Sequence, residues 1–536
     1  MPASCRRADR VYRKGQAAAE RQVPVLPASN SRNLGGINSM MGRRWFLMFP
    51  GLSVAGCAQS GRVRQAAVAG SFYPADPKEL AAMVDGFLAK ASPPPAGEVI
   101  AIVAPHAGYI YSGAVAGCSY AAVKGKKFER VVVISPSHID SFGFASVYDG
   151  SAYATPLGEV PVDTDFAGRL TKAGANIKLS SRGHVAAFGR SEHALEVQLP
   201  FLQRALGKFR VVPIIMGAQH YDLCRELGLA LAKSISGSST LLVASSDLSH
   251  FHTYDQASSM DRKTLKAIED WDYLTLSRNF EHHVWEACGG GPIIAAMMAA
   301  ERLGADTARV LKYANSGDVT RDHSSVVGYG SVVMLKTGKK EAAAEIPFAL
   351  TPEEKRALLR IAKNAVEMAV RDKKRFESSD GGHEALAREL GAFVTLKKRG
   401  ELRGCIGHIT PIKPLHETVR DVAILAALED TRFTPVKPEE LPELEYEISV
   451  LSPMRRVLDP NEIQVGRDGL VIKRGRSEGL LLPQVPVEQH WDRFTFLAFT
   501  CRKAGLDANA WKDSRTDIFR FTALVFNDHD TPGRPS

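Results

Sequence analysis

The sequence lacks the marks of several protein classes. Its seven cysteines are odd in number and widely spaced, and they include no Cys-x-x-Cys pair, which argues against a disulfide framework. The Cys-x-x-x-Cys-x-x-Cys motif that binds the iron–sulfur cluster of a radical enzyme is also missing. We find no internal repeat and no low-complexity tract. The chain is therefore predicted to be a globular protein without a disulfide framework.

The net charge of +9 is unevenly distributed along the chain. Much of the basic excess lies near the N-terminus, in RRADRVYRK and GRR. A basic leader on a nearly neutral body gives no evidence for nucleic-acid binding. The 536 residues are 45% hydrophobic and 24% charged. A chain of this length and composition has room for roughly two to four domains with cores of their own.

Residues 1–60 form a predicted leader. Arg43 and Arg44 precede an apolar run, 45–56, which has the length of a signal peptide and is too short to span a membrane. The run ends in Val-Ala-Gly before Cys57, which resembles a bacterial lipobox. We therefore predict lipidation at Cys57 and a membrane-anchored lipoprotein. The alternative is a cytoplasmic protein with a long disordered leader, in a compartment that suits reduced thiols.

Two folded domains follow the leader. The N-terminal domain, 62–337, alternates apolar runs such as VIAIVAP, RVVVISP and TLLVASS with helical stretches, which predicts an α/β fold. The charged, Ala-rich segment 338–350 is the predicted linker. The C-terminal domain, 351–525, begins with Thr351, a helix N-cap, before a first-turn proline. Its mixture of helices and strands predicts a smaller α+β fold.

Polar residues follow successive hydrophobic strands of the N-terminal domain. One strand leads into His106, another into His138, and a third into Asp247 and, three residues later, His250. Ligands bind at the carboxyl ends of strands in open α/β sheets, and imidazole is a good ligand for iron, copper and zinc. A single histidine after a strand is more often structural. The joint appearance of these residues favours a shared metal site.

Cys288, in WEACGGGPI, is the candidate anionic ligand. The glycines after it permit close backbone approach, and the proline predicts the start of a helix. A thiol at a helix N-terminus is expected to have a lowered pKa. Two histidines and one anion leave coordination positions open for substrate or dioxygen. The alternative is that Cys288 is a small buried hydrophobic residue.

Three further residues are candidates for catalysis. Asp247 and His250 fit either a general acid/base pair or a pair that orients the metal ligands. His193 and Glu196, in SEHALEVQLPF, have the i, i+3 spacing that places two residues on one face of a helix. We therefore count His193 with Asp247 and His250 as candidate catalytic residues.

The segments APHAGYIYSG, SPSHID, EHALEVQLPF, SSDLSHF and CGGGPI together resemble the Memo family, known in bacteria and archaea as AmmeMemoRadiSam system protein B. The resemblance covers nearly all of 65–337. It implies a fold like that of class III extradiol non-haem iron dioxygenases. It also implies a metal bound by His106, His138 and Cys288, with iron or copper favoured over zinc. The dioxygenases have a carboxylate at the position of Cys288, so the resemblance does not imply ring cleavage.

The C-terminal domain carries its most specific motif in ELRGCIGHITPIKPL. The Leu-Arg-Gly-Cys-Ile-Gly core, with DTRFTPV and GLVIKRGRSEGLLLPQV, resembles the AMMECR family, or AmmeMemoRadiSam system protein A, over essentially the full domain. Arg403 offers a guanidinium to an anion, and Gly404 and Gly407 permit tight turns. Cys405 is a candidate nucleophile with His408 as its base. A buried, inert Cys405 is the open alternative.

Proteins that resemble the two halves belong to a system with a radical S-adenosylmethionine (SAM) enzyme, and this resemblance implies such an enzyme as a separate partner. Fusing the halves raises their local concentration. Three hypotheses follow for function. The chain is a metal-dependent redox enzyme, a non-catalytic module that binds a metal or peptide, or a hydrolase that uses metal-bound water. The substrate is a small molecule or peptide that the sequence does not identify.

Overall fold

The computed structural model describes residues 62–187, 190–235, 239–338, 349–409 and 413–529. The predicted leader with Cys57, and all but the ends of the predicted linker, lie outside these residues. Among the described residues, no helix is both long and apolar enough to cross a bilayer.

The N-terminal domain alternates strands and helices, so the prediction of a mixed α/β architecture is confirmed. Its strands are β1 Val63–Arg64, β2 Glu98–Ala104, β3 Arg130–Pro136, β4 Ala145–Val147, β5 Ala152–Thr155, β6 Gly158–Pro161, β7 Ile177–Leu179, β8 Arg210–Met216, β9 Thr240–Ser245, β10 His250–His252, β11 Thr307–Asn315 and β12 Val326–Lys336. Its helices are α1 Pro77–Lys90, α2 Tyr109–Ala121, α3 Thr164–Thr171, α4 Gln198–Leu206, α5 Tyr221–Ile235, α6 Tyr254–Glu269, α7 Tyr273–Glu281, α8 Gly290–Arg302 and α9 Gly317–Thr320.

A large mixed sheet organises this domain. Its strand order is β10-β12-β2-β9-β3-β8-β4-β7, with β11 paired to β12, and β1, β5 and β6 form a small separate sheet. Strands β2, β9, β3 and β8 are parallel neighbours, while β12 runs antiparallel to β2. The carboxyl ends of four adjacent strands therefore meet at one edge, together with the beginning of β12. Functional side chains are expected at this edge.

The central strands are buried on both faces, which explains why they are almost entirely Val, Ile, Leu and Ala. One core cluster packs against each face of the sheet. Helix α8 is apolar around most of its circumference, and Gly290 to Ala300 are all buried. A helix of this kind belongs in a core rather than on a surface. It fixes the loop before it, which contains Cys288, against the sheet.

The C-terminal domain is built on an antiparallel sheet. Its strands are β13 Ala392–Lys398, β14 Glu401–His408, β15 Leu444–Leu451, β16 Arg455–Arg456, β17 Asp468–Arg474, β18 Ser477–Leu481 and β19 Asp517–Asn527, in the order β14-β13-β15-β19-β17-β18 with β16 paired to β19. Its α-helices are α10 Pro352–Glu367, α11 Glu384–Ala387, α12 Leu415–Leu428, α13 Gln484–Glu488 and α14 Arg493–Lys503. The predicted cap is present, because Thr351 and Glu354 form a capping box at the start of α10.

The two domains share a buried polar contact centred on Asp517 at the start of β19. Asp517 is 2% exposed. Its carboxylate accepts hydrogen bonds from Tyr221 Oη at 2.9 Å, Arg225 Nε at 2.6 Å and Arg456 Nη2 at 2.7 Å. Tyr221 and Arg225 belong to α5 of the N-terminal domain. A buried carboxylate that accepts from two guanidiniums and a hydroxyl ties the domains together directionally, which apolar contact alone does not do.

Apolar packing surrounds this polar contact. Met454 and Phe519 of the C-terminal domain belong to the same core cluster as Tyr273 and Leu276 of α7. The backbone N–H of Met454 also donates to the Asp272 carboxylate at 3.3 Å. Consistent with these contacts, the described residues of the two domains form one compact unit.

Glu301, at the end of α8, makes this contact sensitive to pH. Burial raises the pKa of Glu301 to about 7, although Arg456 opposes the shift. Between the unfolded pKa near 4.5 and a folded pKa near 7, the folded state keeps a proton that the unfolded state loses. The contribution of Glu301 to the free energy of unfolding is therefore fully present below pH 4.5 and is lost as the pH rises through 7.

We expect Glu301→Gln, which is neutral at every pH, to remove this loss. The free energy of unfolding of the variant, measured relative to wild type, should rise by on the order of 3 kcal/mol between pH 4.5 and pH 8. Chemical denaturation at several pH values measures the difference. Glu159→Gln, on the exposed face of β6, is the control and should show no such trend. A wild type and Glu301→Gln with parallel pH profiles would contradict the assignment.

Candidate metal centre

The structure brings the predicted ligands together at the carboxyl edge of the large sheet. His106 follows β2, His138 follows β3 and Asp247 follows β9. Cys288 lies in the loop before α8. The imidazole rings of His106 and His138 are 5.2 Å apart, and His193 lies 5.5 Å from His106 and 4.7 Å from His138. Three imidazoles and a thiol therefore surround one small volume.

His106, His138 and Cys288 have donor atoms that all lie within 4.8 Å of one another. His106 Nε2 and Cys288 Sγ are 3.1 Å apart. Nitrogen and sulfur ligands of one tetrahedral ion are about 3.5 Å apart, given metal–ligand bonds of about 2.0 and 2.3 Å. The donor set therefore fits a single transition-metal ion with little movement.

The ring of His106 is fixed by hydrogen bonds with a defined direction. Ser245 Oγ donates to the Ala194 carbonyl at 2.7 Å and accepts from Gln198 Nε2 at 2.7 Å. Its single proton is therefore used, and its 2.8 Å contact with His106 Nδ1 requires the imidazole to be the donor. His106 consequently carries its proton on Nδ1 and presents the lone pair of Nε2 towards Cys288. Burial and the neighbouring His138 hold the pKa of His106 well below its ordinary value, so the ring is neutral as a ligand requires.

The ring of His138 contacts a carboxylate that the sequence analysis did not single out. Glu192 Oε1 lies 3.0 Å from His138 Nδ1. Burial acts to raise the pKa of Glu192, but the hydrogen bonds from His138 and the charges of His138 and His193 together outweigh it, and the pKa falls to about 2. An ionised carboxylate only accepts, so His138 also carries its proton on Nδ1 and has Nε2 free. The only sequence signal for Glu192 was its position beside His193.

Cys288 is held by the backbone of Asp247. The Asp247 N–H donates to Cys288 Sγ at 3.3 Å, and Gln219 Nε2 donates to the Cys288 carbonyl at 2.8 Å. A Cβ on Gly289 would come within 2.2 Å of the Ser245 carbonyl, so this approach requires glycine. The prediction of a lowered thiol pKa is wrong: burial, reinforced by the Asp247 charge, raises the pKa of Cys288 well above its ordinary value. A bound cation is what would favour the thiolate here.

Asp247 and His250 both lie at this centre. Asp247 is 5% exposed, and its Oδ1 accepts from the backbone N–H of His106 at 2.8 Å. Burial raises the pKa of Asp247. His250 begins β10 and is half-buried, and its backbone N–H donates to Glu286 at 3.1 Å. The aspartate therefore supports a ligand loop, while the histidine faces the open side.

The predicted helical pairing of His193 with Glu196 is wrong. Residues 194–197 form turns before α4 begins at Gln198. His193 joins the imidazole cluster, and burial lowers its pKa to about 3. Glu196 points elsewhere and is bound by Arg64 and by Tyr73 Oη, the latter at 2.5 Å. The i, i+3 spacing does not put the two side chains on one helix face, because the residues between them form turns instead of a helix.

A cavity of about 450 Å³ opens beside the ligands. Its lining combines imidazoles with aromatic and acidic side chains, and includes Cys288, His250, His220, Phe280, Trp285 and Glu286. A cavity of this size accommodates a small organic molecule. Its walls come from the two residues before α5, from α7 and from the start of α8, and these helices also contact the C-terminal domain.

The C-terminal motif forms part of β14. Cys405 Sγ accepts a hydrogen bond from Thr395 Oγ1 at 3.2 Å, and its backbone N–H donates to Asp430 at 2.9 Å. Gly404 is required by packing, because a Cβ there would lie 2.1 Å from the Ala426 carbonyl of α12. Burial raises the pKa of Cys405. These contacts describe a half-buried thiol in a packed strand.

Two roles predicted for this motif are wrong. Cys405 and His408 are three residues apart on one strand, so their side chains point to opposite faces of the sheet and His408 is not the base for Cys405. Arg403 does not offer a free guanidinium, because Glu440 binds it through two contacts of 3.0 Å. Gly407 packs against the Phe393 ring, where a Cβ would lie 2.3 Å away.

Known proteins that are similar to this chain match it over part of its length. A MEMO1 family protein of Methanopyrus kandleri is 36% identical over 286 residues, which is 51% of this chain and 99% of that protein. A protein of Thermococcus kodakarensis is 49% identical over 181 residues, which is 32% of this chain and 88% of that protein. A solved structure of an uncharacterized protein from Pyrococcus horikoshii covers 34% of this chain and 96% of its own, at 42% identity and a TM-score of 0.33.

Family models locate the two parts. The model described as Memo-like protein matches 64–333, half of the chain, and contains every residue of the metal centre. The AMMECR1 model matches 359–526 and contains the Cys405 motif. The chain therefore belongs to the Memo family and joins a Memo domain to an AMMECR1 domain.

Proposed function

We propose that the Memo domain binds one iron or copper ion through His106, His138 and Cys288 and uses it in a redox reaction on a small substrate. The observation that carries the proposal is the pair of imidazoles whose Nδ1 protons are both engaged by the protein. Both rings are thereby left with Nε2 for a metal, next to a thiol and a cavity. A hydrogen-bonded Nδ1 that leaves Nε2 for the ion is the usual arrangement of histidines that bind a metal.

The donor set decides between metals by its chemistry. Imidazole suits iron, copper and zinc, and a thiolate adds affinity for the softer ions. Three protein ligands leave positions open, which is typical of catalytic rather than structural sites. Bound there, iron or copper supplies one-electron chemistry and a position for dioxygen or substrate. Zinc in the same site would favour the hydrolase alternative, in which the metal activates water.

The protein's own groups would position the substrate and move protons. His250 faces the cavity, and Asp247 lies between His106 and Cys288. We assign proton transfer to these two residues, with His193 as the third imidazole of the site. The aromatic walls formed by Phe280 and Trp285 exclude water from the substrate. The fold is proposed to be of the class III extradiol type, and Cys288, in place of a carboxylate, makes ring cleavage an unsuitable reaction.

The AMMECR1 domain is proposed to link this site to a partner. It contacts the helices that form the cavity walls, so a protein bound to it would lie close to the substrate entrance. A separate radical SAM enzyme of the same system is the proposed partner. Lipid anchoring at Cys57 would keep the chain at a membrane, whereas a cytoplasmic chain would meet that enzyme directly.

Nitric oxide binding to the full-length protein loaded anaerobically with Fe(II) tests the proposal. We expect the EPR signal of a high-spin iron–nitrosyl complex, because an open position accepts the probe. His106→Ala should lose this signal, and Cys118→Ala, on the surface of α2, should retain it. A site that takes up only zinc would favour hydrolysis. A wild type that takes up no metal would leave the non-catalytic accessory module as the better account.

A further inference from the structure

We infer that Glu192 is a positioning residue of the metal centre, which aims His138 Nε2 at the ion without itself being a ligand. The inference rests on the proposed function, because it assigns a role around the same ion. Glu192 is placed where it could act either as a metal ligand or as the hydrogen-bond partner of one. His138, Glu192 and His193 also have donor atoms within 4.8 Å of one another, which by distance alone would suit a metal.

The hydrogen bonds of Glu192 decide against the ligand reading. Its Oε1 accepts from His138 Nδ1 at 3.0 Å and from the backbone N–H groups of His193 and Ala194, both at 2.9 Å. Its Oε2 accepts from the backbone N–H of His138 at 2.5 Å. The carboxylate is only 2% exposed. Turning it towards an ion would take these hydrogen bonds from backbone N–H groups that are shielded from water, which is unfavourable.

The same bonds make Glu192 an effective positioner. It binds both the backbone and the ring of His138, so it fixes the loop after β3 as well as the ring orientation. Its own backbone is held in turn, because the buried guanidinium of Arg64 donates to the Glu192 carbonyl. Arg64 also pairs with Glu196 in the next turn. The carboxylate is therefore placed before any metal arrives.

The two ligand histidines differ in the charge of their partners. His106 donates to a hydroxyl, Ser245, whereas the partner of His138 Nδ1 is a carboxylate, that of Glu192, which accepts N–H groups on both of its oxygens. A carboxylate partner makes the imidazole a stronger donor to a metal than a hydroxyl partner does. Glu192 therefore makes His138 the stronger of the two nitrogen ligands. Its loss should weaken metal binding more than the loss of Ser245.

The test combines a readout without metal and one with metal. In the metal-free, full-length protein with ¹⁵N-labelled histidine, the His138 ring, assigned by its loss in His138→Asn, should carry its proton on Nδ1. In Glu192→Gln this preference should be lost. Cobalt(II) titration should show an affinity lowered about 10–100-fold in Glu192→Gln, with an altered absorption spectrum. Ser245→Ala should lower it less, and Asp85→Asn, at a surface ion pair with Arg204, should leave it unchanged.

Other outcomes would overturn the inference. A wild-type His138 protonated on Nε2 would do so without any variant. Unchanged cobalt affinity in Glu192→Gln would do the same, as would X-ray absorption showing that this variant loses an oxygen ligand. If wild type bound no cobalt, the proposed function would fail, while the tautomer of His138 would still decide the role of Glu192. Should Glu192→Gln not fold, Glu192→Asp, which keeps the charge but shortens the reach, replaces it.

Discussion

Replacing Cys288 with alanine is expected to lower the affinity for iron or cobalt by about 100-fold or more, since losing a ligand costs more than losing the partner of a ligand. The remaining donors, His106 and His138, would bind the ion as a two-nitrogen site. The sulfur-to-metal charge-transfer band of the cobalt-loaded protein should disappear at the same time. Competition with a chelator measures the affinity, and absorption spectroscopy shows the band.

Cys118→Ala is the matched control for this experiment. Cys118 is another half-buried thiol of the same domain, and it donates a hydrogen bond to the helix carbonyl of Ala114 at 3.5 Å. Its loss should change neither affinity nor spectrum. Retention of the charge-transfer band in Cys288→Ala would show that another thiol binds the ion, and the assignment of the ligands would then be wrong.

Replacing Asp517 with alanine is expected to destabilise the protein by about 3–5 kcal/mol, because it takes from two largely buried guanidiniums the carboxylate that they share. Arg225 and Arg456 would face each other across the space left by the carboxylate, and Tyr221 would lose its acceptor. The hydrogen bonds that are lost with Tyr221 and Arg225 join the two domains. We therefore expect hydrogen exchange to increase in α5 and β19 before the rest of the chain opens. Chemical denaturation measures the loss.

Asp85→Ala supplies the comparison for a solvated ion pair. Asp85 binds Arg204 at 2.9 Å, but 45% and 41% of the two side chains are exposed. Its loss should cost less than about 1 kcal/mol. Equal losses in the two variants would mean that the Asp517 contact is as weak as a surface pair, and the domains would then be held together by apolar packing alone.

The position of the metal centre could be predicted because strand direction and strand end are both visible in the sequence. Runs of Val and Ile end at His106, His138 and Asp247, and parallel neighbours bring such ends to one edge. Cys288 required a different argument, from the glycines and the helix after it. In both cases short local patterns determine where the backbone goes.

The residues that orient the ligands could not be predicted, because their contacts join segments far apart in the chain. Glu192 reaches His138 across 54 positions, and Ser245 reaches His106 across 139. No periodicity links such pairs. The pKa of Cys288 was misjudged for a related reason, since the helix that follows it is visible in the sequence and the depth of its burial is not.

The contact between the domains was also beyond sequence reasoning. Asp517 and Tyr221 are 296 positions apart, and each is an ordinary residue in its own segment. In the AMMECR1 domain the motif around Cys405 was conspicuous, yet its glycines serve close packing against α12 and Phe393. The side chain of His408 lies on the other face of the sheet because side chains alternate between the faces along a strand. Closeness in sequence to Cys405 alone does not show this.

The most direct test of the metal centre is the metal content of the full-length protein purified without oxygen, with wild type compared with His106→Ala and Cys288→Ala. Plasma mass spectrometry should find nearly one iron or copper ion per chain in wild type and very little in either variant. A wild type without stoichiometric metal, or variants that retain it in full, would contradict the assignment of His106, His138 and Cys288 as the ligands.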